Sequence, residues 1–281
     1  MTDTKQRVWF ITGCSKGFGR VFVETLARRG DYIFATARVA STLDDLRGLA
    51  PERIHTAALD ITDMAAIEQA VADCIAAFGR IDVLVNNAGY GVAGPIEAVS
   101  DAQTRAIFDT NFFGTLNMTR AVLPHMRDRH QGHIIQLSSS HAWGAPPGLG
   151  MYSASKCALE GASETMAKEI EGFGIRLTIL QPGPYKTDFL GAGLQLAERK
   201  LDAYANLMNG LGEARAANHL KQPGDPLGVA RAMIEVVEAE QPPLRLLTGK
   251  IATERAKAKI EQVSNEFARW EPLALAADFA A

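Results

Sequence analysis

The sequence predicts an α/β fold with a doubly wound parallel sheet, and three observations support that prediction. Short runs such as residues 8–12 and 32–37 are almost entirely apolar, which is typical of strands buried on both faces. Helical patterns follow most of these runs, as expected for repeated β-α units. Glycine-rich or polar clusters come directly after several of the runs. Ligands of parallel α/β sheets bind at this position, the carboxyl ends of the strands.

Each element can be placed on the chain from its pattern. We expect seven strands, at residues 8–12, 32–37, 54–59, 81–85, 133–137, 175–180 and 244–247. Helices are expected after Gly19, around Tyr152, and at residues 41–49, 64–78, 103–129 and 226–238. No linker, repeat or low-complexity tract interrupts the alternation, so residues 1–281 are predicted to form a single domain.

Residues 187–222 depart from the alternation of strands and helices. This segment holds four glycines and a helical pattern around Leu207, and it lies before the last helix and strand of the sheet. An insertion of this length predicts a helical lid over a substrate site. The alternative is an ordinary amphipathic helix packed on the body of the protein.

An apolar stripe marks the last helical pattern of the chain. Ile260, Val263, Phe267 and Trp270 recur at helical spacing. We expect this stripe to pack on its own subunit, and an interface between subunits is the alternative.

Composition excludes several classes of protein. The formal net charge of -3 gives no reason to expect nucleic acid or an anionic membrane as a partner. The three cysteines and six histidines lack the spacing of a metal site or a disulfide framework, so no metal is expected. No apolar run reaches the roughly 20 residues of a transmembrane helix, and the first strand begins too early to leave room for a signal peptide. A cytoplasmic location is the expectation.

A glycine-rich turn follows the first predicted strand and precedes a helix. Glycines in such a turn let backbone amides approach a pyrophosphate, and the helix N-terminus offers partial positive charge. A tight turn without a ligand is the alternative. The residues predicted to bind a dinucleotide here are Gly13, Ser15, Lys16, Gly17, Phe18 and Gly19.

The end of the second strand indicates which dinucleotide binds. A carboxylate near this point commonly accepts a hydrogen bond from the ribose 2′-hydroxyl of NAD. This chain has Arg38 there instead, and Lys16 supplies a second cation. Two cations and no carboxylate favour the 2′-phosphate of NADP over NAD. The alternative is that both are solvated surface cations.

Tyr152 and Lys156 indicate acid–base chemistry. Four residues apart on a helix, they project from one face and can act on the same small volume. A phenol is a weak acid near neutral pH, and a nearby ammonium group favours the phenolate. We therefore expect Lys156 to lower the pKa of Tyr152.

Taken in order, these motifs resemble those of the classical short-chain dehydrogenase/reductase family, over essentially the whole chain. The resemblance rests on T-G-x-x-x-G-x-G from Thr12, N-N-A-G from Asn86, N-x-x-G from Asn111, and Y-x-x-x-K from Tyr152. Leu137-Ser138-Ser139 is similar to the family's I-S-S pattern, and residues 182–187 are similar to P-G-x-x-x-T. It implies a Rossmann-like NAD(P)-binding domain and a nicotinamide-dependent oxidoreductase.

The resemblance also implies roles for particular residues. Tyr152 would exchange a proton with the substrate oxygen while Lys156 holds the nicotinamide ribose. Ser139 would orient the carbonyl, and Asn111 would hold a water that connects Lys156 to solvent. Ser138 or Ser140 as the reactive hydroxyl, and Asn111 as a helix-interior cap, are the alternatives. Further cofactor contacts implied by the resemblance are Asp60, Ile61, Asn87, Ala88, Gly89, Pro182, Gly183 and Thr187.

The segments around the site favour a hydrophobic ketone, aldehyde or alcohol as substrate. Apolar and aromatic residues that we expect to wall the pocket are Tyr90, Val92, Trp143, Pro146, Pro147, Pro184, Tyr185 and Phe189. His141 is expected to face solvent from a loop. Alternatives to this enzyme are an NADP-sensing regulator without catalysis and a sugar-nucleotide epimerase or dehydratase. A homo-oligomer, either dimer or tetramer, is expected.

Overall fold

The computed structural model describes residues 6–278. Its main sheet has seven parallel strands in the order β3-β2-β1-β4-β6-β7-β9. The sequence therefore predicted the doubly wound parallel sheet correctly, and most strand bounds differ from the prediction by one or two residues. The nine strands are β1 (Val8–Ile11), β2 (Tyr32–Ala37), β3 (Ile54–Ala58), β4 (Val83–Asn86), β5 (Gly91–Ala93), β6 (Gly132–Leu137), β7 (Ile175–Pro182), β8 (Leu194–Leu196) and β9 (Arg245–Thr248).

Helices cover both faces of this sheet and bury a separate apolar core on each side. Successive strand residues point to opposite faces, so Trp9 packs in one core while Phe10 packs in the other. The helices are α1 (Gly17–Arg29), α2 (Asp44–Leu49), α3 (Met64–Phe78), α4 (Asp101–Phe108), α5 (Thr115–Asp128), α6 (Gly150–Ile170), α7 (Ala205–Asn218), α8 (Pro226–Glu238) and α9 (Lys250–Leu275).

The long helix predicted at residues 103–129 is interrupted. A π-helix, Asp109–Gly114, lies between α4 and α5 and contains Asn111. π-Turns of this kind are rare and concentrate at functional sites. Gly114 permits the close packing of this turn, because a Cβ at that position would lie 2.7 Å from the carbonyl oxygen of Ile61. Helical periodicity alone does not distinguish a π-turn from a continuous α-helix.

The inserted segment 187–222 is anchored at its beginning and loosely packed in its helix, α7 (Ala205–Asn218). Strand β8 pairs with β5 in a small parallel sheet that the sequence did not predict, because both strands are only three residues long. Helix α7, by contrast, contains no buried residue. The two halves of the segment therefore differ in how firmly they are held.

The prediction for the final helix is wrong. Ile260, Phe267 and Trp270 are 56%, 71% and 57% exposed, so the stripe does not pack on its own subunit. The buried residues of α9, Ala252 and Ala256, both lie in its first part, where the helix contacts the body. We refer to Ile260, Val263, Phe267 and Trp270 as the α9 stripe.

No helix within residues 6–278 has the length and apolar character needed to cross a membrane.

Candidate active site

The carboxyl ends of the central strands open onto one cavity of about 730 Å³. This is where ligands bind in open α/β sheets. Of the predicted catalytic and cofactor residues, all line the cavity except Gly19 and Asn111. Those that line it are Gly13, Ser15, Lys16, Gly17, Phe18, Arg38, Asp60, Ile61, Asn87, Ala88, Gly89, Ser139, Tyr152, Lys156, Pro182, Gly183 and Thr187.

The glycine turn after β1 has the geometry that its sequence predicts. Gly13 and Gly17 adopt φ values of +72° and +60°, which favour glycine. Gly19 packs where a side chain has no space, because a Cβ there would lie 2.4 Å from the carbonyl oxygen of Gly13. Gly19 therefore packs against the turn on the side away from the cavity, whereas Gly13 and Gly17 line the cavity.

A hydrogen-bonded link holds this turn against the loop that follows β4. The Asn87 side-chain amide donates to the carbonyl oxygens of Thr12 and Gly13, at 2.8 and 2.9 Å. In return, the Thr12 hydroxyl oxygen accepts from the backbone amides of Asn87 and Ala88, both at 3.0 Å. The two motifs predicted to bind the cofactor are therefore joined directly by hydrogen bonds.

The two cations predicted to bind a 2′-phosphate have different surroundings. The Lys16 ammonium forms an ion pair with Asp188 at 3.0 Å. Arg38 is exposed at the edge of the cavity. The backbone amide of Thr62 holds the pKa of Asp60 below its usual value, and the Arg38 charge contributes in the same direction. Within residues 6–278, Lys16 is therefore paired with a carboxylate, whereas Arg38 forms no ion pair.

Burial is the largest cause of the pKa shifts of Tyr152 and Lys156. It raises the pKa of Tyr152 to about 12, and the Ser139 hydroxyl opposes this shift. It lowers the pKa of Lys156 to about 8, and the Glu160 charge opposes that shift. The expected lowering of the Tyr152 pKa by Lys156 is therefore not found. Desolvation disfavours the charged form of both groups, so it shifts an acid and a base in opposite directions.

The Lys156 side chain is held in place at the base of the cavity. Its ammonium nitrogen donates to the carbonyl oxygen of Leu137 at 2.7 Å. Gly89 leaves room beside it, because a Cβ at Gly89 would lie 3.5 Å from that nitrogen and 2.9 Å from Oδ1 of Asn111. Glycine at position 89 thus allows the backbone after β4 to lie close to the side chains of Lys156 and Asn111.

Asn111 connects the π-helix to both neighbouring elements and does not cap a helix. Its Oδ1 accepts from the backbone amide of Tyr90 at 3.1 Å, and its Nδ2 donates to the Tyr90 carbonyl oxygen at 2.9 Å. The same Nδ2 lies 3.0 Å from the hydroxyl oxygen of Ser155 on α6. Asn111 therefore sits directly behind the cavity, between the loop after β4 and the helix that carries Tyr152.

The three consecutive serines after β6 have distinct partners. Ser138 donates a short hydrogen bond to the Glu160 carboxylate. Ser140 is fully buried and accepts from the Arg255 guanidinium at 2.8 Å. Ser139 lines the cavity, as Ser138 also does, and the Ser139 hydroxyl oxygen lies 3.2 Å from Nδ1 of His141. Ser139 is thus the serine whose hydroxyl is not used to join structural elements.

His141 does not face solvent as expected. It lines the cavity, and its ring packs edge-to-face on Tyr152 with 5.9 Å between centroids. Burial lowers the pKa of His141 to about 4, and the Arg255 charge contributes in the same direction. The imidazole is therefore neutral at pH 7 and forms part of the wall beside Ser139 and Tyr152.

The expected pocket wall is only partly correct. Tyr90, Pro184, Tyr185 and Phe189 line the cavity, whereas Val92 is buried beneath it, next to Tyr152. Trp143, Pro146 and Pro147 are not among its lining residues. Leucines that the sequence did not single out complete the wall, namely Leu149, Leu190 and Leu194.

Sequence reasoning also missed a buried network around Glu160. This carboxylate lies on α6, one turn after Lys156, and it accepts from the Gln181 side chain with both oxygens at 2.8 Å. It also accepts from Ser138, and the Arg245 guanidinium lies 3.8 Å away. Glu160 thereby joins α6 to the ends of β6 and β7. The Y-x-x-x-K spacing extended by one further turn is the signal that could have indicated it.

The fold and this cavity define a class of protein, the nicotinamide-dependent oxidoreductases built on a doubly wound sheet. Residues 7–195 match the family model described as short chain dehydrogenase. The chain belongs to the short-chain dehydrogenase/reductase family, and the resemblance noted in its motifs is confirmed.

Similar proteins span nearly the whole chain. Oxidoreductase BOA17 from Botryotinia fuckeliana is 35% identical, over 96% of this chain and 98% of that protein. Human retinol dehydrogenase 8 is 34% identical, over 86% of this chain and 81% of that protein. A crystal structure of a short-chain dehydrogenase from Streptomyces avermitilis is 36% identical, with a TM-score of 0.89 over 98% of this chain and 100% of that chain.

Proposed function

We propose that this protein interconverts a hydrophobic ketone or aldehyde and the corresponding alcohol, with NADP(H) as the cofactor. The proposal rests above all on Tyr152, Ser139 and Lys156, which line the same cavity as the glycine turn. The turn suits a dinucleotide, because Gly13 and Gly17 open its backbone toward the cavity through their positive φ values. Bound there, the nicotinamide would supply or accept the hydride.

The residues of the chain would perform the proton chemistry. With its pKa raised to about 12, Tyr152 holds its proton at neutral pH and can donate it to the carbonyl oxygen during reduction. Ser139 would donate a hydrogen bond to the same oxygen and so fix the carbonyl in place. Lys156, anchored on the Leu137 carbonyl, would bind the ribose hydroxyls, and Asn111 would hold the water that returns the proton.

The cavity wall supports an apolar substrate. Leucine, tyrosine and phenylalanine side chains surround the proposed reacting groups, and the Phe189 ring lies 5.3 Å from the Tyr152 ring. The relative named retinol dehydrogenase 8 is in keeping with such a substrate. Steady-state oxidation of NADPH should be measured against a panel of aryl, retinoid and steroid carbonyl compounds. Turnover of an apolar member is the expected result, and turnover of none of them would contradict the proposal.

The same measurement tests the two alternatives. A non-catalytic regulator that senses NADP would bind the cofactor and turn over no carbonyl compound, whereas a sugar-nucleotide epimerase or dehydratase would act only on nucleotide sugars. The intact set of Tyr152, Lys156, Ser139 and Asn111 favours catalysis. We further propose that residues 1–281 form a single domain. We also propose that the protein is cytoplasmic, because an odd number of cysteines without a disulfide pattern suits a reducing compartment.

We expect Arg38→Asp to weaken NADP binding by about tenfold or more while NAD binding changes less. A carboxylate repels the 2′-phosphate but can accept from a 2′-hydroxyl. Arg38 is exposed at the cavity edge, so the substitution should leave the fold intact. Fluorescence titration of both cofactors measures the effect, and Arg47→Asp on the exposed surface of α2 is the control. A wild type that binds NAD as tightly as NADP would contradict the cofactor preference.

We propose that segment 187–222, in which α7 has no buried residue, closes over the cofactor and the substrate. Amides of α7 should exchange rapidly in the free protein and become protected with NADP and a bound inhibitor, because segments with few buried contacts open locally. Leu207→Asp should raise KM and lower kcat for bulky substrates with little change in NADP affinity. Hydrogen exchange is the direct measurement. Protection of α7 in the free protein equal to that of β4 would mean that the helix is fixed.

A further inference from the structure

The last part of α9 extends beyond the body of the protein. Every residue from Ser264 to Leu275 is exposed, and the apolar residues Phe267, Trp270, Leu273 and Leu275 are each more than half exposed. Isolated helices of about 12 residues are only marginally stable in water, and helices in proteins are stabilised mainly by packing of their apolar face. This part of α9 therefore requires a partner surface that residues 6–278 of the same chain do not provide.

The spacing of the α9 stripe indicates a helical partner. Starting from the buried Ala256, the apolar residues Ile260, Val263, Phe267 and Trp270 follow at alternating intervals of four and three. That interval repeats every 3.5 residues, which is the narrow seam of a coiled coil rather than the wider stripe of a helix packed on a globular core. The seam begins at Ala256, which is buried against the body, and it continues to Phe267 and Trp270, which are exposed.

The charges beside this seam indicate that the partner is a second copy. Along one flank, positions seven residues apart are Lys250, Lys257, Ser264 and Glu271, so the charge changes from positive to negative with Ser264 between. All four side chains are exposed. When two such helices pair antiparallel, each basic end lies against an acidic end of the other copy, and opposite charges along a coiled-coil flank select partner and orientation.

We propose that α9 pairs antiparallel with α9 of a second copy of this chain, about a two-fold axis close to Ser264. In this register Ile260 lies against Trp270 of the partner subunit, and Val263 lies against Phe267 of the partner subunit. Lys257 lies against Glu271 of the partner subunit on one flank. A parallel pair would instead set one flank against the other and bring Glu266 beside Glu271 of the partner subunit, so that like charges would meet.

Pro272 is compatible with this arrangement, whereas Glu266 opposes it. Pro272 would strain a central seam position, but it falls on the face that points away from the partner, opposite the stripe. On the second flank Glu266 meets its own copy, which opposes association and makes Glu266→Gln a variant expected to tighten it. A contact made by a single pair of helices should be weaker than a standard interface of ~800 Å² per partner, with a dissociation constant on the order of ten micromolar.

Sedimentation velocity over a range of concentrations tests the pairing. We expect Phe267→Ser to weaken association by about a hundredfold, because an aromatic residue at the centre of a two-fold interface is lost twice. Lys257→Glu and Glu271→Lys should each weaken it by about tenfold, and the double variant should restore it. All of these positions are exposed, so thermal unfolding of the variants should match the wild type.

Cross-linking tests the register independently. In a Cys157→Ser background, which removes the exposed thiol, Ser264→Cys should form a covalent dimer with a short bismaleimide. Asn265→Cys, one residue along on the outward face, should not. A monomeric wild type, association that is unchanged by Phe267→Ser, or equal cross-linking of both variants would overturn the proposal. Binding of the wild type to neutral phosphatidylcholine vesicles, lost in Phe267→Ser without a change in sedimentation, would assign the stripe to a membrane surface instead.

Discussion

We expect Tyr152→Phe to lower turnover by on the order of a hundredfold or more while the fold and NADPH binding are retained. The substitution removes only the hydroxyl that would transfer the proton. The ring keeps its packing against His141 and Phe189, whose centroids lie 5.9 and 5.3 Å away. Steady-state kinetics measure the loss, and fluorescence titration with NADPH tests whether the cofactor site is intact.

The pH profile gives a second readout of Tyr152. Because burial raises its pKa to about 12, the phenol remains protonated across the physiological range, and the base required for alcohol oxidation is scarce there. Oxidation by the wild type should therefore accelerate as the pH rises from 7 to 10, and this slope should be lost in Tyr152→Phe. Turnover by the variant within a factor of about three of the wild type would exclude Tyr152 as the proton donor.

Glu160→Ala should lower the free energy of unfolding by about 3–5 kcal/mol. The substitution leaves the Gln181 amide and the Ser138 hydroxyl buried without their common acceptor. These residues precede Pro182 and Ser139, so the two sides of the cavity would also lose their connection to α6. Urea denaturation measures the stability change, and kcat should fall with it even under conditions in which the variant is folded.

Glu164 provides the matched control for Glu160. It lies one turn further along α6 and forms an ion pair with the same residue, Arg245, at 2.6 Å. Its side chain is 45% exposed, so water can replace the lost contact. Glu164→Ala should therefore unfold at nearly the same urea concentration as the wild type. Equal destabilisation by both substitutions would show that Arg245, and not the buried carboxylate network, sets the effect.

Local patterns determined much of this protein from the sequence. Apolar runs specify central strands such as β1, β2 and β4, because a strand covered on both faces has to be apolar throughout. The glycine turn could also be predicted from the sequence, because glycine adopts the positive φ values found at Gly13 and Gly17 more readily than other residues. Tyr152 and Lys156 were predicted to share one face because helical spacing alone decides it.

Properties that depend on distant neighbours were decided only by the tertiary structure. The pKa of Tyr152 rises where a lysine on the same helix predicted a fall, because burial outweighs a charge whose own site is desolvated. Segment contacts separated by many residues, such as the Glu160 network and the pairing of β5 with β8, leave no periodic signal. The α9 stripe has the same pattern as a buried helix face, and only the position of the body shows that it is exposed, because periodicity records that a face is apolar and not what covers it.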